Sequence, residues 1–514
     1  MRKFGLLLAL IVSFGLQAQK VTRFSSFDAF SEEFDKLVSV PKELDGVFKD
    51  SLVPNFLAAV DFEKEELWLD YANQILRKRL DDAQTWEPLL RALIYVAENE
   101  EYDRFGALLE HFYAFSKKNP SSRIRSYQNQ FYRNIVKHEF SEPGELVWKA
   151  PASFWTLNFI EGEPQFTMEM VDIVGLNGGD STMVMGVNAV FYPQAGLLKA
   201  NGGTIIWSRE GQLDKEVYAE LGPWTLQVNQ TNFKADSVTL FATEFYDEPL
   251  QGVLEERVSS VNLKDARFPK FTSYRDNFVL ENIYPDVHFK GGLGVAGAQF
   301  YGTAADSALA ALKFTYKLDT VLTLKGRSFI FKDSLLSSKR VEVIAHLGVD
   351  SIYHPYCEMR FDPRVGQVRV IRYETGLGLA SFTDSYHALN MSVDQLVWNQ
   401  GTPILNFKNL NLGSEQAAIF ESKQYFRVQR MEEIAGLQKN HPLRELRDAA
   451  YGFGYEDMPL KDLTYALRMA PEEGEFFLYH MAIQGFVTFD VDAQTISLTD
   501  RLFEYILNWE GKRD

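Results

Sequence analysis

Thr182-Met-Val-Met-Gly-Val-Asn-Ala-Val-Phe191 is apolar and rich in Val, with one Gly and one Asn as its only interruptions, which is the composition of a β-strand. Gly203-Thr-Ile-Ile-Trp207, Ser237-Val-Thr-Leu-Phe241 and Gln367-Val-Arg-Val-Ile-Arg-Tyr373 are of the same kind, and Gly, Asn or Asp separates one such run from the next. Segments like these fill the chain from 146 to 430 and predict a large all-β central body of a dozen or more strands. That is too much chain for one ordinary sandwich, so the body reads either as two sandwiches or as an elongated, β-solenoid-like stack. Two internal echoes favour the stack. Asn201-Gly202-Gly203 before a strand resembles Lys290-Gly291-Gly292, and an Asp-Ser step recurs at Asp180, Asp236, Asp306, Asp333, Asp350 and Asp384. An Asp in that position can accept a backbone N–H two residues on and turn the chain. The steps keep no fixed period, so both architectures stay open.

On either side of the body the apolar period changes to that of helices. Leu67, Tyr71, Ile75, Leu76 and Leu80, then Leu89, Leu90, Leu93, Ile94 and Ala97, then Leu108, Leu109, Phe112 and Phe115 recur every three to four residues. Breaks at Asp81-Asp82, Asn99-Glu100 and Asn119-Pro120 divide them, and Ser121 or Ser122 is placed to cap a helix ending near Phe140. An all-α helical domain of four or five helices is expected over 19–145. From 431 to 514 the runs Leu443–Tyr451, Leu460–Met469 and Glu472–Gln484 read as helices. They are followed by strands at 486–489 and 495–498 and a last helix capped by Thr499 or Asp500. This order resembles a winged-helix module. Overall the expected class is multi-domain α+β.

Met1-Arg2-Lys3 followed by the 13-residue apolar run Phe4–Leu16 reads as a signal peptide over 1–18, cleaved near Ala18. The run is shorter than the roughly 20 residues a membrane span needs, and no later window supplies one. Cys357 is the single cysteine, so no internal disulfide can form and no thiol near the leader can take a lipid. Trp509-Glu-Gly-Lys-Arg-Asp514 stops just after a helix, which leaves open whether the chain is the front portion of something longer. These features predict a periplasmic or secreted protein.

Of 514 residues 46% are hydrophobic and 24% charged, ample for a core, and 14% are aromatic. The formal charge of −17 repels phosphate backbones. The winged-helix-like segment is no exception, since 7 basic residues face 14 acidic ones from 441 to 514. No nucleic-acid partner is expected, whereas envelope proteins or polysaccharide are possible partners.

Gly292-Leu-Gly-Val-Ala-Gly297 matches G-x-G-x-x-G, and Asp319 lies 22 residues on. The residues after Gly297 favour strand and turn, not the helix whose N-terminus would face a pyrophosphate, so no cofactor is expected and the glycines read as strand bends. His346, His354 and Cys357 lack the motif spacing of a zinc site, the acidic runs lack a calcium loop, and G-x-S-x-G is absent, so no metal and no serine nucleophile are expected. One segment concentrates chemistry: His354, Tyr356, Glu358 and Arg360 alternate along a strand and would share a face, with Tyr353 and Cys357 opposite. Such a row could act in acid–base catalysis on a sugar chain, although most polar rows are solvated surface.

Two function classes follow. The first is an exported cell-envelope protein that is a non-enzymatic scaffold, conduit or binding surface. The alternative is a carbohydrate-active lyase or hydrolase with the row His354, Tyr356, Glu358 and Arg360 as its site. The first is favoured, because an enzyme should show a convergent acid–base motif and this chain offers one ambiguous row.

Overall fold

The computed structural model describes residues 22–60, 64–99, 102–141, 144–151, 155–207, 217–242, 248–259, 267–304, 308–332, 334–410, 418–423, 425–436, 440–491 and 493–512. The leader with its cleavage site near Ala18, and the Asp-Ser steps at Asp306 and Asp333, lie outside them. The protein has an N-terminal helical region, a large antiparallel β-sheet body and a C-terminal α/β part. It folds as two compact units, Met1–Pro249 with Glu255–Phe268 and Leu250–Leu254 with Pro269–Asp514.

The first unit opens with helices α1 (Phe30–Leu37), α2 (Lys42–Val47), α3 (Val53–Ala59), α4 (Glu65–Arg77), α5 (Ala83–Asn99), α6 (Tyr102–Lys118) and α7 (Ser121–Lys137). Trp68, Tyr71, Ala72 and Ile75 form the buried stripe of α4, spaced so that each falls on one helix face. Trp86 of α5 packs edge-on against Phe34 and Trp68, with ring centroids 5.3 and 6.1 Å away, and its Nε1–H donates to Leu80 O at 2.9 Å. Burying such a ring while satisfying its N–H stabilises the bundle by roughly 2–3 kcal/mol. Ser121 does not cap α7, as the sequence suggested. Pro120 holds the cap position, and the Ser121 hydroxyl donates to Lys78 O at 2.7 Å, tying α7 to the end of α4.

The strands of this unit are β1 (Leu146–Lys149), β2 (Thr156–Ile160), β3 (Glu163–Asn177), β4 (Asp180–Tyr192), β5 (Leu197–Asn201), β6 (Thr204–Ile206), β7 (Val217–Glu220), β8 (Pro223–Gln227) and β9 (Asn232–Ala242). β10 (Leu250–Arg257) is divided between the units. The second unit continues with β11 (Lys270–Ser273), β12 (Phe278–Tyr284), β13 (Val287–Ala296), β14 (Gln299–Thr303), β15 (Ala310–Tyr316), β16 (Asp319–Gly326), β17 (Ser328–Phe331) and β18 (Leu336–Leu347). Then come β19 (Asp350–Asp362), β20 (Gln367–Arg372), β21 (Phe382–Asp384), β22 (Leu389–Ser392), β23 (Gln395–Asn399), β24 (Leu405–Lys408) and β25 (Ile419–Ser422).

The pairings of these strands repeat one topological block three times. In the first block the early half of the long strand β4 pairs with β6 and its late half with β5. β6 then pairs with β7, β5 with β8, and the long strand β9 closes both rows. In the second block β13 divides in the same way between β15 and β14, β15 pairs with β16 and β14 with β17, and β18 closes both rows. In the third block β19 divides between β21 and β20, which pair with β22 and β23, and the pieces β25 and β24 stand where the other blocks have one long strand. Each dividing strand passes from one row to the other near a glycine or proline: at Gly186 (φ +66°) in β4 and at Pro355-Tyr356 in β19, where the register shifts, and at Gly291-Gly292 in β13, where the partner changes from β15 to β14.

The internal echoes acquire a physical meaning here. Asp180 and Asp350 open equivalent strands, and each makes a long-range bond. Asp180 accepts the Ser259 N–H at 2.7 Å, and Asp350 accepts the Ser385 hydroxyl at 2.8 Å, so each ties its strand to a distant segment. The turn after each dividing strand holds a glycine in the left-handed region, Gly196, Gly297 and Gly366 at φ +57°, +54° and +63°. Gly297, third glycine of the dinucleotide-like match, is thus a hairpin corner leading into β14, and no helix follows it.

The C-terminal part comprises α8 (Val428–Ala435), α9 (Pro442–Ala450), β26 (Met458–Pro459), α10 (Leu460–Ala466), α11 (Pro471–Ile483), β27 (Val487–Asp490), β28 (Thr495–Leu498) and α12 (Asp500–Trp509), with β28 between the other two strands. Leu443, Leu463, Leu478, Phe486, Ile496 and Ile506 form its core, which Leu377 from the strand body enters. Thr499 precedes α12 as expected, yet its hydroxyl donates to Gly485 O at 2.7 Å and does not cap the helix. No helix among the described residues is long and apolar enough to cross a membrane.

Candidate functional site: a cleft beneath the C-terminal part

The row expected along β19 is broken by a bulge. Val343 lies opposite His354 and Val341 opposite Cys357, so three residues of β19 advance against two of β18. The extra residue reverses which side chains face inward, and alternation fails at this one step. His354 and Cys357, expected on opposite faces, both enter the core and are fully buried. Glu358 and Arg360 stay outside and bind each other, with Nε to Oε1 at 2.5 Å. Tyr356 is half-buried between the Tyr373 ring, 5.4 Å away, and the Arg340 guanidinium, 4.9 Å from its centroid. The four residues therefore do not converge on any common point.

His354 instead braces the bulge. Its Nε2–H donates to Ala380 O at 2.8 Å, which leaves Nδ1 to accept the Tyr356 N–H at 3.1 Å, with Cys357 Sγ also 3.1 Å away. Burial holds the imidazole neutral, its pKa pushed down to about 3, and burial pushes the Cys357 thiol well up. A nucleophilic Cys–His pair needs a thiolate within reach of substrate, and this pair has neither charge nor access. Cys357 is expected to resist an aromatic disulfide reagent in the native protein and to react fully in denaturant; rapid native labelling, followed by absorbance, would contradict the sealed pair. His346 hydrogen-bonds Thr323 Oγ1 at 2.9 Å, and no group of three His, Cys, Asp or Glu side chains among the described residues is arranged to hold a metal.

The same segment of β19 borders a cleft through other residues. Tyr353 and Pro355, at the bulge, form one wall together with the β21–β22 hairpin, which supplies Ser381, Thr383 and Asn390. The end of α11, β27 and the first turn of α12 form the opposite wall, and the enclosed volume is about 410 Å³, within the range of small-molecule sites. The cleft exists because Leu377 anchors the terminal core against the strands, while the shorter side chains Ala380, Ala388 and Ala482 leave space beside it.

Several polar groups of this lining are uncommitted. Asn390 Oδ1 accepts the Thr383 hydroxyl at 3.4 Å, but its buried Nδ2 has no partner. Gln484 Nε2 contacts His480 Nε2 at 2.8 Å, while its buried Oε1 has none. Arg501, with a side chain only 10% exposed, donates from Nη2 to Glu421 at 3.2 Å and leaves Nε unpartnered. Lys423 makes no ion pair among the described residues; burial lowers its pKa, and the charges of Asp384, Asp500 and Asp350 offset this only in part. A buried donor or acceptor without a partner costs about 1–3 kcal/mol, so Asn390 Nδ2, Gln484 Oε1 and Arg501 Nε, which lie behind the cleft wall, each weigh against the stability of this region. None of Asn390, Lys423, Gln484 and Arg501 stood out in the sequence, because their meeting depends on contacts across up to about 110 residues.

A second cavity, of about 430 Å³, borders His111 in the first unit. There the imidazole is satisfied, with Nδ1 2.9 Å from Gly162 O and Nε2 3.0 Å from the Tyr127 hydroxyl. It has no hydrogen-bonding capacity left for a ligand. No protein-family model, curated protein or solved structure matches this chain.

Proposed function

We propose that this is an exported, non-enzymatic protein of the bacterial cell envelope, a scaffold whose terminal cleft binds polysaccharide or another envelope component. The observation that carries the reading is the dispersal of the chemically capable row. An imidazole sealed in the core and a carboxylate bound to its neighbouring guanidinium cannot transfer protons to one bond. The cationic, apolar start of the chain supports export. The threefold block supports a solenoid-like stack of strands as the scaffold, with the helix–hairpin–helix order of the C-terminal part serving as a winged-helix-like contact module whose acidic balance disfavours nucleic acid.

The test is to incubate the full chain with acidic and neutral polysaccharides and follow reducing ends and unsaturated products, beside retardation in gels containing each polymer. Retardation without turnover is expected. Turnover by the wild type that disappears in Glu358→Gln would establish the carbohydrate-active alternative instead.

A further inference from the structure

We propose that the cleft beneath the C-terminal part continues into an adjoining cavity, and that the two form one groove for an uncharged, unbranched oligosaccharide several rings long. This rests on the binding reading above and names its ligand. The adjoining cavity, of about 320 Å³, is walled by β16 and β18 on one side and by β27 and β28 on the other. Tyr353, Pro355, Leu377, Thr488 and Phe489 line both spaces. The bulge of β19 therefore stands at the middle of the groove, and an occupant can extend past it in both directions.

The charges of the lining balance. In the first cavity Lys423 and Arg501 face Asp500 and Glu504. In the second, Lys325, Arg327 and Arg340 stand with Glu342, Asp457 and Asp490, and Lys325 is 3.5 Å from Glu342. An anion loses to the acids what it gains from the bases, and the reverse holds for a cation. An uncharged polyol meets neither penalty, and its hydroxyls can pair with both signs through charge-assisted bonds. The main chain disfavours the other common uncharged occupant, an extended peptide. β21 and β22 pair with each other and, on their outer sides, with β19 and β25. β27 is an edge strand, but Leu498 N donates to Tyr455 O, so the register turns the main-chain groups of Val487 and Phe489 away from β28. These two residues are only 2% and 6% exposed, which leaves no open edge for strand addition.

Tyr353 is the contact a ligand can reach. It is half-buried at the junction of the cavities, and its hydroxyl has no hydrogen-bond partner among the described residues. Unlike the orphaned atoms of Asn390, Gln484 and Arg501, that oxygen is not sealed behind the wall. Burial, with the charges of Glu342 and Asp490, pushes its pKa up, so the hydroxyl stays protonated and able to donate. The ring beside it supplies the apolar surface against which a pyranose C–H face packs.

The experiment is calorimetric titration of the full chain with three uncharged pentasaccharides, those of cellulose, amylose and chitin. The corresponding disaccharides, anionic pentagalacturonate and the cationic glucosamine pentamer serve as comparisons, and the set is repeated on Tyr353→Phe and Thr488→Trp. Thr488 is exposed on β27 and lines both cavities, so an indole there fills the junction without entering the core. An unchanged melting curve verifies that each variant is folded. At least one uncharged pentasaccharide is expected to bind about tenfold more tightly than its disaccharide and than either charged pentamer. Tyr353→Phe should weaken it about fivefold, and Thr488→Trp should abolish it. Equal binding by a charged pentamer would overturn the uncharged class and leave the groove as a site. A pentasaccharide no tighter than its disaccharide would overturn the continuity of the two cavities. Binding that survives Thr488→Trp, or binding by none of the compounds, would overturn the groove itself; retardation by polysaccharide gels would then mean that the binding reading holds at another surface.

Discussion

Glu421→Ala is expected to release the C-terminal part from the strand body, at a cost of about 3 kcal/mol. The carboxylate stands at the end of β25, 12% exposed, and receives Arg430 at 2.9 Å, Arg501 at 3.2 Å and Arg427 at 3.4 Å. Arg430 also donates to the Tyr505 hydroxyl, which donates to Tyr425 O at 3.1 Å, so one acidic side chain gathers the linker, α8 and α12 onto β25. Removing it leaves Arg430 and Arg501 partly buried without their anion, and that residual charge costs more than the lost bonds themselves. Hydrogen exchange followed by mass spectrometry should show α8 and α12 losing protection while β18 and β19 keep theirs. Arg427→Ala, removing a half-exposed partner, should cost less than 1 kcal/mol. Burial alone would raise the Glu421 pKa, but the bonds and charges of Arg430 and Arg501 outweigh it and hold the group below the usual carboxylate range. Its contribution is therefore present above about pH 4.5 and is lost as the pH falls through the lowered folded value. Equal protection of α12 in wild type and Glu421→Ala would show that the apolar core around Leu377 is sufficient for docking.

Periodicity along the chain made the helical region, the strand body and the terminal helices legible, because burial on one face imprints a spacing of 3.6 or 2 on the residues. The first helices escaped that reading. Phe30, Phe34, Phe48 and Phe56 belong to one buried cluster, but Pro41, Gly46 and Pro54 interrupt the spacing between them. The repeated block was half visible. Asp180-Ser and Asp350-Ser do open equivalent strands, and the stronger signal beside them, Phe191-Tyr-Pro-Gln-Ala-Gly196 against Phe361-Asp-Pro-Arg-Val-Gly366, marks equivalent hairpin corners. The shared face expected for His354, Tyr356, Glu358 and Arg360 does not form because alternation assumes an unbroken pleat, and Pro355 sits where β19 breaks it. A proline in a polar row is the sequence-level warning that the faces on its two sides need not match. The cleft was not legible at all, since Asn390, Lys423, Gln484 and Arg501 are ordinary surface residue types until distant strands and helices bring them together.

The second large effect is expected on acidification, and His354 is its source. The imidazole is neutral in the fold with a pKa of about 3, against roughly 6.5 when the chain is unfolded. Burial is the main cause; the bond to Ala380 O pulls the other way, and the nearby Arg372 charge adds to the lowering. Because the folded value is depressed, the unfolded chain binds the extra proton first. Stability is therefore complete above about pH 6.5 and declines as the pH falls toward 3, by on the order of 4 kcal/mol from this group. That window opens well above the one in which Glu421 is protonated, so the two contributions separate along a pH series. His354→Gln supplies the comparison. Its amide can donate toward Ala380 O and accept from the Tyr356 N–H without titrating, so the variant should be about 1–2 kcal/mol less stable at pH 7 and nearly level from there to pH 5. The difference between the proteins should shrink on acidification and reverse, measured by denaturant melts at each pH. Parallel curves would mean that the buried imidazole is not what makes the second unit sensitive to acid, and that the neutral pair with Cys357 does not persist in solution.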